Sequence, residues 1–126
     1  MKKPTICIVW VTFLICIFDY HLGFAETVEV QIIKSSFIPH VIKIKKGDSI
    51  RWINRDGLLH TVASGKAPIH DGLFKGDYVL KEYETLINQT GLIDYFCELH
   101  NATMRGVILI EDIDKSHPSK SKNNLR

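Results

Sequence analysis

From Thr27 the side chains alternate in character, with Val28, Val30 and Ile32 on one side against Glu29, Gln31 and Ile33 on the other. A period of two is that of a half-buried strand. Ile42 and Ile44 against Lys43 and Lys45 repeat it, and Gly47-Asp48 supplies a turn. Ile50 and Trp52 then alternate with Arg51 and Ile53 until Asn54-Arg55-Asp56-Gly57 ends the run with strong turn chemistry. Further short strands are expected at 60–62, 78–80, 84–87, 92–97 and 105–111. Residues 64–77, with Gly65, Gly72, Gly76 and Pro68, read as the least regular part of the chain. No heptad, helical stripe or internal repeat competes with this pattern. Seven to eight strands at such spacing predict an all-β, Greek-key β-sandwich.

The two ends break the pattern in different ways. Lys2 and Lys3 precede an apolar run over 5–18, Asp19 and His21 follow it, and Gly23 and Ala25 place small residues where a signal peptidase reads. The run is shorter than the roughly 20 residues of a membrane span. The expected organisation is therefore a cleaved signal peptide over 1–25, one domain over 26–113 and a basic tail over 114–126. The tail is made of Lys, Ser, Asn and Pro with no apolar pattern, a composition that cannot bury enough surface to order itself.

Cleavage simplifies the chemistry, because Cys7 and Cys16 leave with the signal and only Cys97 remains. An exported domain with one cysteine has no internal disulfide, and its thiol is a hazard, an intermolecular link or a protected ligand. Charge adds little. The whole chain of 126 residues carries +2, and losing Lys2, Lys3 and Asp19 brings the mature part close to neutral. Nucleic acid is not implied, nor is stable membrane insertion after cleavage.

The stretch Tyr95-Phe96-Cys97-Glu98-Leu99-His100-Asn101-Ala102-Thr103-Met104 puts a thiol, an imidazole and a thioether within eight residues. Thiolate and thioether select for copper, imidazole suits it in either oxidation state, and two His with one Cys and a weak axial Met compose a blue-copper site. The stretch holds one His, so the second must come from elsewhere, and His60 is the candidate. Parity supports it: Ile93, Tyr95 and Cys97 share one strand face, and His60 shares a face with Val62. A buried Cys is otherwise a small hydrophobe, Met104 is otherwise core filler, and Cys with a nearby His is also the signature of a nucleophile and base. The sequence offers no oxyanion or orienting group for that last role. His40, His70 and His117 read as surface or loop residues.

Alone, C-x2-H-x3-M is a weak signal, but its context is dense. Phe37-Ile38-Pro39, Ile42-Lys43-Ile44, Lys46-Gly47-Asp48, Ile50-Arg51-Trp52-Ile53-Asn54-Arg55-Asp56, His60-Thr61-Val62 and Tyr95 through Gly106 together resemble the cupredoxin family of small blue copper proteins. The resemblance implies one type 1 copper ion held by His60, Cys97 and His100, with Met104 as axial ligand. It further implies that the Thr61 N–H donates to the Cys97 sulfur while the Thr61 hydroxyl ties the two ligand loops together. It implies an electron carrier that is a monomer, is not an enzyme and docks transiently with a redox protein donor and acceptor, and the signal peptide makes it periplasmic or otherwise exported. A copper-binding carrier or scavenger with the same ligands is the alternative. Leu58, Leu59, Leu99 and Ala102 lie on the loops bracketing the two His and are the expected docking patch. The chain departs from the family in two places. Three residues separate His100 from Met104, where amicyanin-like loops have two and plastocyanin-like loops four, and Glu98-Leu99 adds a negative charge beside the metal position.

Overall fold

The computed structural model describes residues 24–112. Nearly all of the expected signal peptide and the whole basic tail lie outside the described residues, as does His117. Among the described residues there are nine strands: β1 (Thr27–Ile33), β2 (Ser36–Ile38), β3 (Val41–Lys45), β4 (Ser49–Asn54), β5 (His60–Lys66), β6 (Ile69–Val79), β7 (Glu82–Leu86), β8 (Gly91–Phe96) and β9 (Arg105–Glu111). A single 3-10 turn, Glu98–His100, interrupts them. They form two sheets, ordered β2-β1-β4-β7 and β3-β9-β8-β5-β6. Both sheets are mixed, because β1 runs parallel to β4 and β3 parallel to β9 while the remaining pairs are antiparallel. This is the expected all-β sandwich.

The alternation along the chain sets which face turns inward. Ile42 and Ile44 are buried between exposed Val41, Lys43 and Lys45, and Val30 and Ile32 are fully buried on β1. The inner faces meet around Trp52 of β4, whose ring lies 5.4 Å from Phe74, 5.7 Å from Tyr83 and 5.5 Å from Tyr95. Phe37 packs on Tyr95 at 4.7 Å. Aromatic pairs at such separations add about 0.5–1.5 kcal/mol each beyond their area, so this cluster joins four-stranded to five-stranded sheet at the centre of the core.

The irregular section expected over 64–77 is corrected by the structure. It is a β-hairpin: β6 pairs antiparallel with β5 from His60↔Val79 to Lys66↔Ile69. The register shifts twice, between His60 and Val62 and between Ala63 and Gly65. Each extra residue in a bulge moves the following side chains to the other face, so an apolar period of two does not survive along β6. Gly65 sits at the second shift with φ +120°, and a Cβ there would collide with the backbone of Ile69 and Asp71. His70 is accordingly an exposed strand residue of β6, and the strand expected at 78–80 is the end of that same hairpin. With β2 added as a short edge strand, the count reaches nine where seven to eight were expected.

Candidate metal centre

Two neighbouring strands of one sheet carry the site. His60 opens β5, and Cys97 follows directly on β8, which pairs with β5 through Ala63↔Phe96 and Ser64↔Tyr95. After Cys97 the chain folds tightly: His100 N–H donates to the Cys97 carbonyl at 3.2 Å, and Thr103 and Met104 N–H both donate to the His100 carbonyl, at 3.1 and 2.9 Å. Cys97 N–H then donates to the Met104 carbonyl at 3.0 Å, closing the loop one rung beyond Phe96↔Arg105. The ligand loop is thereby fixed by its own backbone.

The donor atoms converge. Cys97 Sγ lies 3.9 Å from His60 Nδ1 and 3.5 Å from His100 Nδ1, and one ligand atom from each of the three lies within 4.8 Å of the others. The His60 and His100 rings are 5.1 Å apart. His60 and Cys97 are fully buried, while His100 is half-buried and reaches the surface. Met104 is fully buried in the same core. Because metal–thiolate and metal–imidazole bonds run to about 2.3 and 2.0 Å, donors at these separations can share one ion. A buried thiol enclosed by two imidazoles is also out of reach of a substrate carbonyl, which removes the nucleophile reading.

Thr61 bridges the two ligand segments. Its N–H donates to Cys97 Sγ at 3.4 Å, its hydroxyl lies 3.9 Å from the same sulfur, and that hydroxyl accepts the Glu98 N–H at 2.8 Å. The extra negative charge of Glu98 is met by Lys75 of β6, whose Nζ lies 3.2 Å from Glu98 and 3.3 Å from Asp77. Hydrogen bonds to Glu98 first and to Asp77 next hold the Lys75 ammonium above its ordinary range.

The copper-binding protein model of the plastocyanin/azurin family matches residues 25–111. The chain belongs to that family. It is 33% identical over 89 residues to amicyanin of Paracoccus versutus, covering 69% of this chain and 67% of the relative. To plastocyanin of Scenedesmus fuscus it is 29% identical over 84 residues, 60% of this chain and 86% of the relative. A solved amicyanin variant in its reduced Cu(I) form superposes with a TM-score of 0.59 at 29% identity, over 68% of this chain and 82% of that one. In this plastocyanin/azurin-family chain the grouping of one thiol and two imidazoles matches a single type 1 copper site.

Sequence reasoning missed Asp56, which it read only as a turn residue. The carboxylate meets His60 Nε2 at 2.9 Å through Oδ1 and 3.1 Å through Oδ2. It also accepts the Leu58 N–H at 3.0 Å and the Ser35 N–H at 2.9 Å. Burial would raise the Asp56 pKa, but the two backbone N–H donors and His60 outweigh it and hold the carboxyl below its ordinary range. The only sequence signal was a carboxylate four residues ahead of a ligand candidate, inside a turn-rich loop.

Proposed function

We propose that this chain is an exported type 1 copper protein that carries single electrons between redox proteins, in which His60, Cys97 and His100 would hold the copper strongly and Met104 would add a weaker fourth ligand. The observation that carries the reading is the convergence of Cys97 Sγ with the Nδ1 atoms of His60 and His100 at 3.9 and 3.5 Å. Copper bound by these donors supplies a one-electron couple, since soft sulfur and imidazole accommodate both oxidation states.

The chain's own residues do the rest. The loop hydrogen bonds around Cys97 and Met104 are made by the backbone itself, so a change of oxidation state would ask for little rearrangement of the donors. Thr61 N–H donates to Cys97 Sγ and so helps to fix the direction in which the sulfur faces. Support for Met104 comes from the ladder: it stands opposite Cys97 on the rung beyond Phe96↔Arg105, and residues opposed across antiparallel strands project to the same face. Electrons enter and leave by His100, the one member of the trio with exposed surface. Leu58, Leu59 and Leu99 are 54%, 38% and 51% exposed, and Ala102 is exposed as well. An apolar surface of this kind on the loops bracketing the two His suits short-lived docking of a redox protein.

The N-terminal sequence, with its basic start and apolar run, supports export to the periplasm. Adding Cu(II) to the purified protein tests the whole constellation. An intense visible thiolate-to-copper absorption, followed by reversible bleaching with a one-electron reductant, is expected. A protein that takes up copper without that absorption overturns the reading.

A further inference from the structure

The loop between β4 and β5 is tied more firmly than a connection needs to be. Asn54 Nδ2 donates to the carbonyls of Leu58 and Val79, at 2.6 and 2.8 Å, and Asn54 Oδ1 accepts the Asp56 N–H at 3.1 Å. Asp56 in turn receives Leu58 N–H from its own loop and Ser35 N–H from the turn between β1 and β2. The result of these bonds is one fixed carboxylate, its side chain 10% exposed, facing the wholly buried ring of His60.

An ionised carboxylate is an acceptor only. Its contacts with Nε2 therefore require that nitrogen to carry a proton, which in the neutral ring leaves Nδ1, the atom turned toward Cys97 Sγ, with a free lone pair. The tautomer of a metal-binding imidazole is set by the hydrogen bond that its other nitrogen makes. A negative charge held behind the ring also makes the ligand more basic and favours the more positive oxidation state of a metal beyond it.

Resting on the copper reading above, we propose that Asp56 is a positioning residue of the metal centre: it locks His60 in the Nε2–H tautomer, aims Nδ1 at the metal position, and biases the copper couple toward Cu(II). This role is separate from capping the loop, because capping needs only the two backbone N–H bonds.

Two measurements test it on the full chain. In the apo protein, nitrogen-15 correlation spectra recorded well above the ordinary histidine pKa range should show the His60 proton on Nε2. Asp56→Asn keeps an acceptor oxygen and removes the charge, whereas Asp56→Ala removes both. Loaded with copper, Asp56→Asn should shift the couple at least tenfold toward Cu(I), about 59 mV for one electron. Asp56→Ala should do the same and also lose the single tautomer. A parent protein with the His60 proton on Nδ1 overturns the proposal even if Asp56→Ala fails to fold. So do variants whose potential and tautomer match the parent. The apo spectra need no copper, so a parent that never turns blue sinks the copper reading and leaves the tautomer assignment to be decided by itself.

Discussion

Gly106 lies directly opposite Tyr95 in the β8–β9 ladder, and the phenol ring covers it so closely that a Cβ at Gly106 would occupy the space of the Tyr95 ring and hydroxyl. The glycine is there for this close approach, two residues beyond Met104. Gly106→Ala should force Tyr95 out of its place against Phe37 and Trp52 and destabilise the fold by about 1–3 kcal/mol, the usual cost of overpacking. Chemical denaturation of the variant checks it. An unchanged midpoint would mean that the ring moves aside freely.

Tyr95 also makes an alkaline prediction. Its hydroxyl and the Trp52 Nε1 are buried without hydrogen-bond partners. Burial raises the phenol pKa from 10.0 to about 12, and the nearby indole N–H of Trp52 opposes this only in part, since its geometry makes no hydrogen bond. Below pH 10 folded and unfolded chains both keep the proton. Between 10 and 12 the unfolded chain loses it first, so stability falls as pH rises, by about 2 to 3 kcal/mol across the window. Tyr95→Phe should cost little at neutral pH, because no hydrogen bond is lost, and should flatten that alkaline slope. An identical slope in the variant would assign the loss to other groups.

Cys97→Ser should abolish the visible copper absorption while the apo domain keeps its β-sheet circular dichroism. The Thr61 N–H that donates to the sulfur has a hydroxyl to donate to in the variant, so no buried donor is stranded. An intensely coloured serine variant would mean that the copper sits elsewhere.

What the sequence could reveal followed from periodicity and local spacing. On β3, Ile42 and Ile44 alternate with exposed neighbours, and on β8, Ile93 and Tyr95 are buried on either side of half-buried Asp94, so the inward face was legible, and with it the placement of Cys97. His60 was paired with Cys97 by its parity with Val62 alone, because β5 is buried at its first six positions and shows no alternation. β6 was not legible, because two register shifts scramble its period and only Phe74, Gly76 and Val79 are buried along eleven residues. Asp56 was hidden differently: its contacts with Ser35 and His60 depend on how two turns meet in space, and a turn made of Asn, Arg, Asp and Gly looks the same whether or not its carboxylate is used.

The proposed docking surface gives a kinetic prediction. Leu59→Glu or Leu99→Glu places a charge on the exposed loops beside His60 and His100, outside the buried donor cluster. Electron exchange with a redox protein should slow by about tenfold, the weight of roughly 1.4 kcal/mol at the encounter. The visible spectrum should be nearly unchanged. If the rate survives both substitutions, electrons leave by another face.

Met104 is where the unusual three-residue spacing meets the geometry of the loop. A loop of changed length can deliver its last residue to the same place, since each residue spans at most about 3.3 to 3.6 Å and the excess is taken up as a bulge. Here the chain turns on the His100 carbonyl, which accepts two N–H bonds, and returns so that the Met104 carbonyl meets the Cys97 N–H. That rung sets Met104 beside Cys97, wholly buried, whatever the count of residues between them. Met104→Leu keeps the volume and removes the thioether. It should therefore keep copper and colour but raise the reduction potential by about 59 mV, a tenfold shift for one electron, because a weak sulfur donor stabilises Cu(II) more than Cu(I). Voltammetry of parent and variant decides it: matching potentials and spectra would make Met104 a core residue and leave the metal to three ligands.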